Sequence, residues 1–283
     1  MKIASESDIG LCRNENQDMV VCEIMDDAAL IIVCDGMGGE NHGKYASTLA
    51  SEIVRSKFLA GYERSFSDKS LKNLLISTVT VANSVIFNTS QAEPDKSGMG
   101  STCVAAFIDA IEETFHIVNV GDSRAYLCMG DSIEQITRDH SLVQFLRDQG
   151  KITEEEIKDH PKKNMLIRAV GVDRNIDVDY FSGKLQGGTR LLLCTDGLHG
   201  CCTDEEIMQA RRRVEEIVFS HEHVRQMHGF YLTKEQKKLR FDIVISFDAK
   251  DRRAVYDEVI ADVQKAFPDY ELQVAMDTDF AEE

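Results

Sequence analysis

The chain reads as a layered domain of alternating strands and helices, of the α/β or α+β kind, followed by a smaller α/β module. Three observations point there. Two apolar runs, Ala29-Leu30-Ile31-Ile32-Val33-Cys34-Asp35-Gly36 and Arg190-Leu191-Leu192-Leu193-Cys194-Thr195-Asp196-Gly197, have the composition of buried strands, and each ends in an acid followed by glycine. Two longer stretches repeat apolar residues every three or four positions, as amphipathic helices do. After residue 211 the pattern becomes helix, strand, strand, helix, strand.

In chain order, residues 17 to 24 and 28 to 35 are expected as a strand pair and 44 to 60 as a helix. A second helix is expected over 69 to 90, with Leu71, Leu74, Leu75, Val79, Ala82 and Ile86 as its buried stripe. Ser101 to Ile108, Thr114 to Val120 and Ser123 to Met129 are short β-type runs, and Gly121-Asp122 is the tight turn between the last two. Leu142 to Lys163 is charged and reads as helical and mobile. Beyond Arg211 come a helix (Val214 to Phe219), a strand (Val224 to Leu232), a polar turn, a strand (Leu239 to Phe247), a helix (Asp251 to Phe267, stopped by Pro268) and a strand (Leu272 to Met276). In the run from 239 to 247, Phe241, Ile243, Ile245 and Phe247 share one face; Asp242, Val244, Ser246 and Asp248 share the other, read as the solvent face.

Composition bounds the function. At 283 residues the chain can bury a sizeable core, as one large domain or two. The net charge of -17, from 49 acids against 32 basic residues, argues against a nucleic-acid partner, which needs basic patches. Eight cysteines (12, 22, 34, 103, 128, 194, 201 and 202) show no Cys-x-x-Cys spacing and read as reduced, mostly buried thiols. No apolar run of eighteen or more residues and no signal peptide is evident, so the expectation is a cytoplasmic protein without a membrane span.

The chemistry starts from the Asp-Gly strands. A buried strand holds a carboxylate rigidly at its end, and the glycine behind it permits a sharp turn or a close approach. Two such strands bring two carboxylates to one place. Oxygen-only donors suit hard cations such as Mg²⁺ or Mn²⁺, which points to metal-assisted chemistry on a phosphate. Taken singly, each Asp-Gly pair reads equally well as a turn cap.

The segment Ser7-Asp8-Ile9-Gly10-Leu11-Cys12-Arg13-Asn14-Glu15-Asn16-Gln17-Asp18 resembles the first signature of the metal-dependent serine/threonine protein phosphatases of the PPM, or type 2C, family in its bacterial form. Further blocks follow in family order: Asp35-Gly36-Met37-Gly38-Gly39, then Gly98-Met99-Gly100-Ser101-Thr102, then Val120-Gly121-Asp122-Ser123-Arg124-Ala125-Tyr126, and Thr195-Asp196-Gly197-Leu198. Thr137-Arg138-Asp139-His140-Ser141 and Arg168-Ala169-Val170-Gly171 also look like family segments. The resemblance covers about residues 1 to 205.

It implies an α+β fold, a four-layer αββα sandwich of two antiparallel sheets flanked by helices, with a binuclear centre of Mn²⁺ or Mg²⁺ at one end. Asp35 is implied to bridge the two ions, Gly36 to lend its carbonyl, Asp196 to complete one shell, and Asp18 to touch the site directly or through water. Arg13 is implied to hold the substrate phosphate with paired donors; its plainer reading is an ion pair with Glu15. Asp122 with Asp196 reads either as a third, weaker metal site or as a turn aspartate. Two ions roughly 3.5–4 Å apart lower the pKa of a bridging water, whose hydroxide attacks phosphorus in line, and neutralise the phosphoryl oxygens, with no phosphoenzyme. Cys34 and Cys194 read as packing residues. Met37 stands where eukaryotic relatives carry a histidine, and 142 to 163 matches the flap beside the cleft.

The pattern departs after Gly200. The family's last Asp-Asn pair has no counterpart, since no Asp-Asn occurs in the chain, and Asp242 lies at about the expected distance. Residues 211 to 283 resemble instead the cytosolic C-terminal domain of cation diffusion facilitator transporters, through Val224 to Leu232 and Phe267-Pro268-Asp269-Tyr270. That resemblance implies a dimerising module, with His228 at a zinc-ligand position and His221 and His223 just upstream. The chain is thus expected to pair a phosphatase-like domain (1 to 205) with a small module (211 to 283) and to hydrolyse phosphoserine and phosphothreonine in phosphorylated proteins. Two alternatives remain: a catalytically weakened phosphatase-like binding protein, and a metal-responsive regulator that dimerises through its C-terminal module.

Overall fold

The structure, a computed structural model, describes residues 1, 3–9, 15–38, 42–129, 132–199, 212–233, 237–246 and 249–277. The chain divides into two compact units, Met1 with Ser7–Asp196, and Lys2–Glu6 with Gly197–Glu283.

In the first unit β1 (Asp18–Met25) and β2 (Ala28–Met37) form an antiparallel hairpin. A helix pair follows, α1 (His42–Gly61) and α2 (Asp68–Ala92), the second capped by the Ser67 side chain on the Ser70 amide. A single 3-10 turn, Pro94–Lys96, leads to β3 (Gly100–Ser101), β4 (Cys103–Asp109), β5 (Thr114–Val120), β6 (Arg124–Met129) and β7 (Ser132–Gln135). Two short helices, α3 (Leu142–Asp148) and α4 (Glu154–Lys158), occupy the stretch expected to be helical; Ser141 caps one, and a Thr153–Glu156 capping box starts the other. Strands β8 (Asp179–Lys184) and β9 (Arg190–Cys194) complete the sheets, and a helical turn α5 (Asp196–His199) begins at Asp196, where the sequence suggested only a turn.

Two antiparallel sheets result. One has the order β1-β2-β4-β5-β8 with β3 on β2, the other β7-β6-β9. Leu30, Ile32 and Cys34 of β2, Cys103, Ala105 and Phe107 of β4, and Val118 and Val120 of β5 pack under the helix pair. Their alternates Val33, Val104, Ala106, Phe115 and Ile117 pack with Ala125 and Leu127 of the second sheet. The expected sandwich is therefore present, and it explains the uninterrupted apolar runs: a sheet buried on both faces has no polar side to alternate with. Strands β7 and β8 were not foreseen, because these short strands flank the sheets and mix Ser, Glu, Asp, Gly and Lys with their apolar residues.

By length and mean hydropathy α2 meets the membrane-span criterion that no run was expected to meet. Its stripe of Leu71, Leu75, Thr78, Val79, Ala82, Asn83, Ile86 and Ser90 is buried, and the apolar members belong to the core shared with α1 and the sheet. Among the described cysteines, Cys34, Cys103, Cys128 and Cys194 are buried and Cys22 is half-buried. Cys12, Cys201 and Cys202 lie outside the described residues.

His116 of β5 is 2% exposed, and its Nδ1 lies 2.7 Å from the Tyr180 hydroxyl. Burial holds its pKa below 6.5, against the opposing pull of Asp68 and Asp109. The folded ring therefore stays neutral at a pH where the unfolded chain's histidine takes a proton. That contribution is intact above pH 6.5 and is lost as pH falls through the lower folded value. Melting temperature is expected to drop from pH 6.5 downward, and His116→Gln to flatten that limb; an unchanged slope would refute the assignment.

The second unit has a helical segment α6 (212–218), β10 (Val224–Thr233), β11 (Lys238–Ile245), α7 (Arg252–Ala266) and β12 (Glu271–Asp277), in the expected order. The sheet runs β10-β11-β12, with the first pair antiparallel and the second parallel. Val214, Val218, Leu239, Phe241, Ile243, Ile245, Val259 and Val263 form its core. One expectation is corrected: Val244, assigned to the solvent face, is 4% exposed, because alternation along β11 shows which residues share a face and not whether that face is covered. Asp242 pairs with His228 in the β10–β11 register, but both side chains lie outside the described residues, as does Asp248.

Candidate functional site

The hairpin register sets Asp18 directly opposite Asp35, and cross-strand partners place their side chains on one face. The two carboxyls lie within hydrogen-bonding reach of each other, and both are raised above the usual carboxylate range, first by burial. Just past β9, the Thr195 hydroxyl donates to Asp18 Oδ2 at 2.9 Å, which ties the second Asp-Gly run to β1, the hairpin partner of the first. The Lys44 ammonium, from α1, donates to the Asp18 carbonyl at 3.2 Å.

The peptide of Asp35 is held from both sides. Its amide donates to Thr102 Oγ1 at 2.8 Å, and its carbonyl accepts from the Thr102 amide at 2.8 Å and the Ser101 hydroxyl at 3.0 Å. Thr102 Oγ1 in turn lies 2.7 Å from Ser123 Oγ, beside Asp122. The blocks around Gly98 and Val120 therefore act as supports for Asp35. Sequence alone gives Ser101, Thr102 and Ser123 no role; hydroxyls just after glycines and at a turn are the only signal there. The Gly36 amide donates to the Gln17 carbonyl at 3.1 Å. A Cβ on Gly36 would fall onto the Gly43 carbonyl and within 2.8 Å of the Gln17 carbonyl oxygen, so strand and helix can approach this closely only at a glycine.

Among the described residues, negative charge accumulates here, with Lys44 opposing it at Asp18 and Arg124 at Asp122 only in part. Burial, then the charges of Asp18 and Asp196, push the Asp35 carboxyl up to about 9. Asp122 is pushed to about 7 by burial, then by Asp196 and Asp139. Asp18 is raised too, first by burial, with Lys44 only partly opposing it. Among the described residues no three side chains form a closed metal cage; the acids meet as one bonded pair in the field of two others. Four crowded carboxylates, all oxygen donors, are nonetheless the donor set that a hard divalent cation compensates. Arg13 lies outside the described residues.

Comparison with known proteins agrees with this geometry. The family model described as protein phosphatase 2C matches residues 13–240. A serine/threonine phosphatase stp of Listeria innocua is 36% identical over 214 residues, covering 74% of this chain and 84% of that protein. The crystal structure of the serine/threonine phosphatase Stp1 from Staphylococcus aureus superposes with a TM-score of 0.67 at 35% identity, over 73% of this chain and 80% of that one. The catalytic domain of the phosphatase PstP, solved with two manganese ions, gives a TM-score of 0.62 at 33% identity, over 74% of this chain and 83% of that one.

The transporter-like resemblance of residues 211 to 283 gains no support. The phosphatase match runs on through α6 and β10 into β11, and an order of helix, strand, strand, helix and strand is shared by many unrelated proteins, so it carries no family by itself. The chain belongs to the protein phosphatase 2C family of metal-dependent serine/threonine phosphatases.

Proposed function

We propose that the chain hydrolyses phosphoserine and phosphothreonine in phosphorylated proteins, with two Mn²⁺ or Mg²⁺ ions held by Asp18, Asp35, the Gly36 carbonyl and Asp196. Asp122 is a candidate for a third, and Arg13 for grip on the substrate phosphate. One observation carries the reading: β1, β2 and the end of β9 converge so that Asp18, Asp35 and Asp196 act on one another. When bound, the cations supply an activated water and positive charge for the phosphoryl oxygens. The protein's own work is orientation. Thr102 and Ser101 fix the Asp35 peptide, Thr195 fixes the Asp18 carboxyl, and both carboxyls lie deep enough for their field to be weakly screened. Cys34 and Cys194 are buried and take no part.

We assign this chemistry to a catalytic domain over about residues 1 to 205 and treat 211 to 283 as a small module, which the separate core of Val214, Phe241 and Val263 supports. The homodimer and the zinc role of His228 rest on the transporter resemblance alone and have no further support. The buried cysteines, spread without Cys-x-x-Cys spacing, suit a reducing cytoplasm. The test is hydrolysis of a phosphothreonine peptide by the full chain with Mn²⁺, after chelation, and after Mn²⁺ is restored. Turnover that follows the metal is expected. No turnover from the folded chain at any Mn²⁺ concentration would favour the phosphoprotein-binding alternative, in which the missing Asp-Asn leaves the site short of a ligand.

A further inference from the structure

The turn that carries Asp122 is bonded along its length to the segment that launches the α3–α4 helices. The Asn119 side-chain Nδ2 donates to the Arg138 carbonyl at 3.3 Å, and the Ala125 backbone amide to Thr137 Oγ1 at 3.0 Å. The Arg124 guanidinium forks onto Asp139 at 2.7 and 2.9 Å. The closest bracket is around Gly121 itself: the His140 amide donates to the Gly121 carbonyl at 2.9 Å, and the Gly121 amide donates to His140 Nδ1 at 3.0 Å. Gly121 has φ +107, and a Cβ there would fall 2.6 Å from the Thr102 side chain, so its peptide is pinned between His140 and the residue that supports Asp35.

The amide bond also bears on the state of the ring. An Nδ1 that accepts from the Gly121 amide leaves the hydrogen on Nε2, which lies 3.1 Å from Asp179 Oδ2 and equally close, at 3.1 Å, to Arg168 Nη1. The other Asp179 oxygen accepts from Arg168 Nη1 at 2.8 Å, and the same nitrogen donates to the Asp177 carbonyl at 3.1 Å. His140 is 4% exposed, so the imidazole is fixed in the chain Arg168, Asp179, His140, Gly121.

We propose that His140 is a positioning residue for Asp122: held by Asp179, it accepts the Gly121 amide and thereby sets where the Asp122 carboxylate can meet a divalent cation. The inference rests on the phosphatase reading only in taking Asp122 as a cation ligand. Groups that orient a ligand from behind are typically worth about 10- to 100-fold in metal affinity or activity.

The experiment uses the full chain and its His140→Ala, His140→Asn and His140→Gln variants. Free Mn²⁺ is counted by its electron paramagnetic resonance signal during titration, beside thermal melting and peptide hydrolysis. In His140→Asn the side-chain oxygen stands where Nδ1 stands and can accept the Gly121 amide; in His140→Gln the amide group reaches toward Asp179 instead. Filling the weakest Mn²⁺ site is expected to need about 10- to 100-fold more metal in His140→Ala and His140→Gln, and close to the parent's amount in His140→Asn. Asn and Gln variants that bind alike, or an Ala variant with the parent's binding curve, would overturn the proposal. If His140→Ala fails to fold, the Asn and Gln pair still decides. A parent chain that binds Mn²⁺ normally but hydrolyses nothing would sink the phosphatase reading and leave this comparison standing.

Discussion

Replacing Asp35 by Asn is expected to lower Mn²⁺-dependent hydrolysis of a phosphothreonine peptide by about 10³-fold or more, equivalent to about 4 kcal/mol of barrier, while the metal-free variant melts higher than the parent. The two effects share one cause. Asp35 sits under the combined negative charge of Asp18, Asp196 and Asp122, and burial keeps water from screening it. A divalent cation relieves that repulsion and is held by it. Asn has nearly the same shape, keeps the backbone bonds to Thr102, and is neutral in the folded and the unfolded chain alike, so it avoids the cost of holding a buried carboxyl protonated when no cation is bound. At about 2–4 °C per kcal/mol for a chain of this size, the gain should be plain in a thermal melt under chelation. Initial rates and melts on the same preparations check both halves; a variant that keeps its activity would remove Asp35 from the site.

The second large effect concerns shape. Gly36→Ala places a methyl group against the Gly43 carbonyl and close to the Gln17 carbonyl, both main-chain groups that cannot swing aside as a side-chain tip would. Overpacking of this kind costs about 1–3 kcal/mol and occasionally more, and here β2 must also move away from α1. That shift would carry Asp35 out of register with Asp18, so loss of stability and loss of Mn²⁺ binding are expected together. Gly187→Ala is the control, because nothing lies within 4 Å of a Cβ there. Denaturant unfolding of the two variants checks the pair; equal midpoints would show that the strand and helix have room to spare.

Much of the frame was readable in the residues. Strands β1, β2, β4, β5 and β6 each fall within about two residues of the expected run, because a sheet covered on both faces demands continuous Ile, Val and Ala, and few other structures tolerate them; the two-residue β3 was not foreseen as a separate strand. The helices α1 and α2 announced themselves by their periodic stripes, and the second unit by its order of elements. Strands β7 and β8 escaped because partly polar edge strands have no strong pattern of their own. Val244 escaped because alternation says which residues share a face and nothing about what covers that face. Asp196 was foreseen at the end of a strand and opens a helical turn instead.

The site divides along the same line. The kinds of donor, oxygen atoms on acids beside glycines, were set by the residues themselves, since a carboxylate keeps its chemistry wherever it lies. Which acids meet, and how strongly, depended on contacts far apart in the chain. The antiparallel register puts Asp18 across from Asp35, Thr195 reaches Asp18 over 177 positions, and Thr102 holds the Asp35 amide over 67. Local patterns carry no record of such pairings. The fold therefore converts four ordinary aspartates into a crowded, weakly screened cluster, and it turns His140 from a motif letter into an acceptor aimed at the Gly121 amide. Donor chemistry is a property of side chains, whereas pKa and position are properties of the surroundings that only the packed chain supplies.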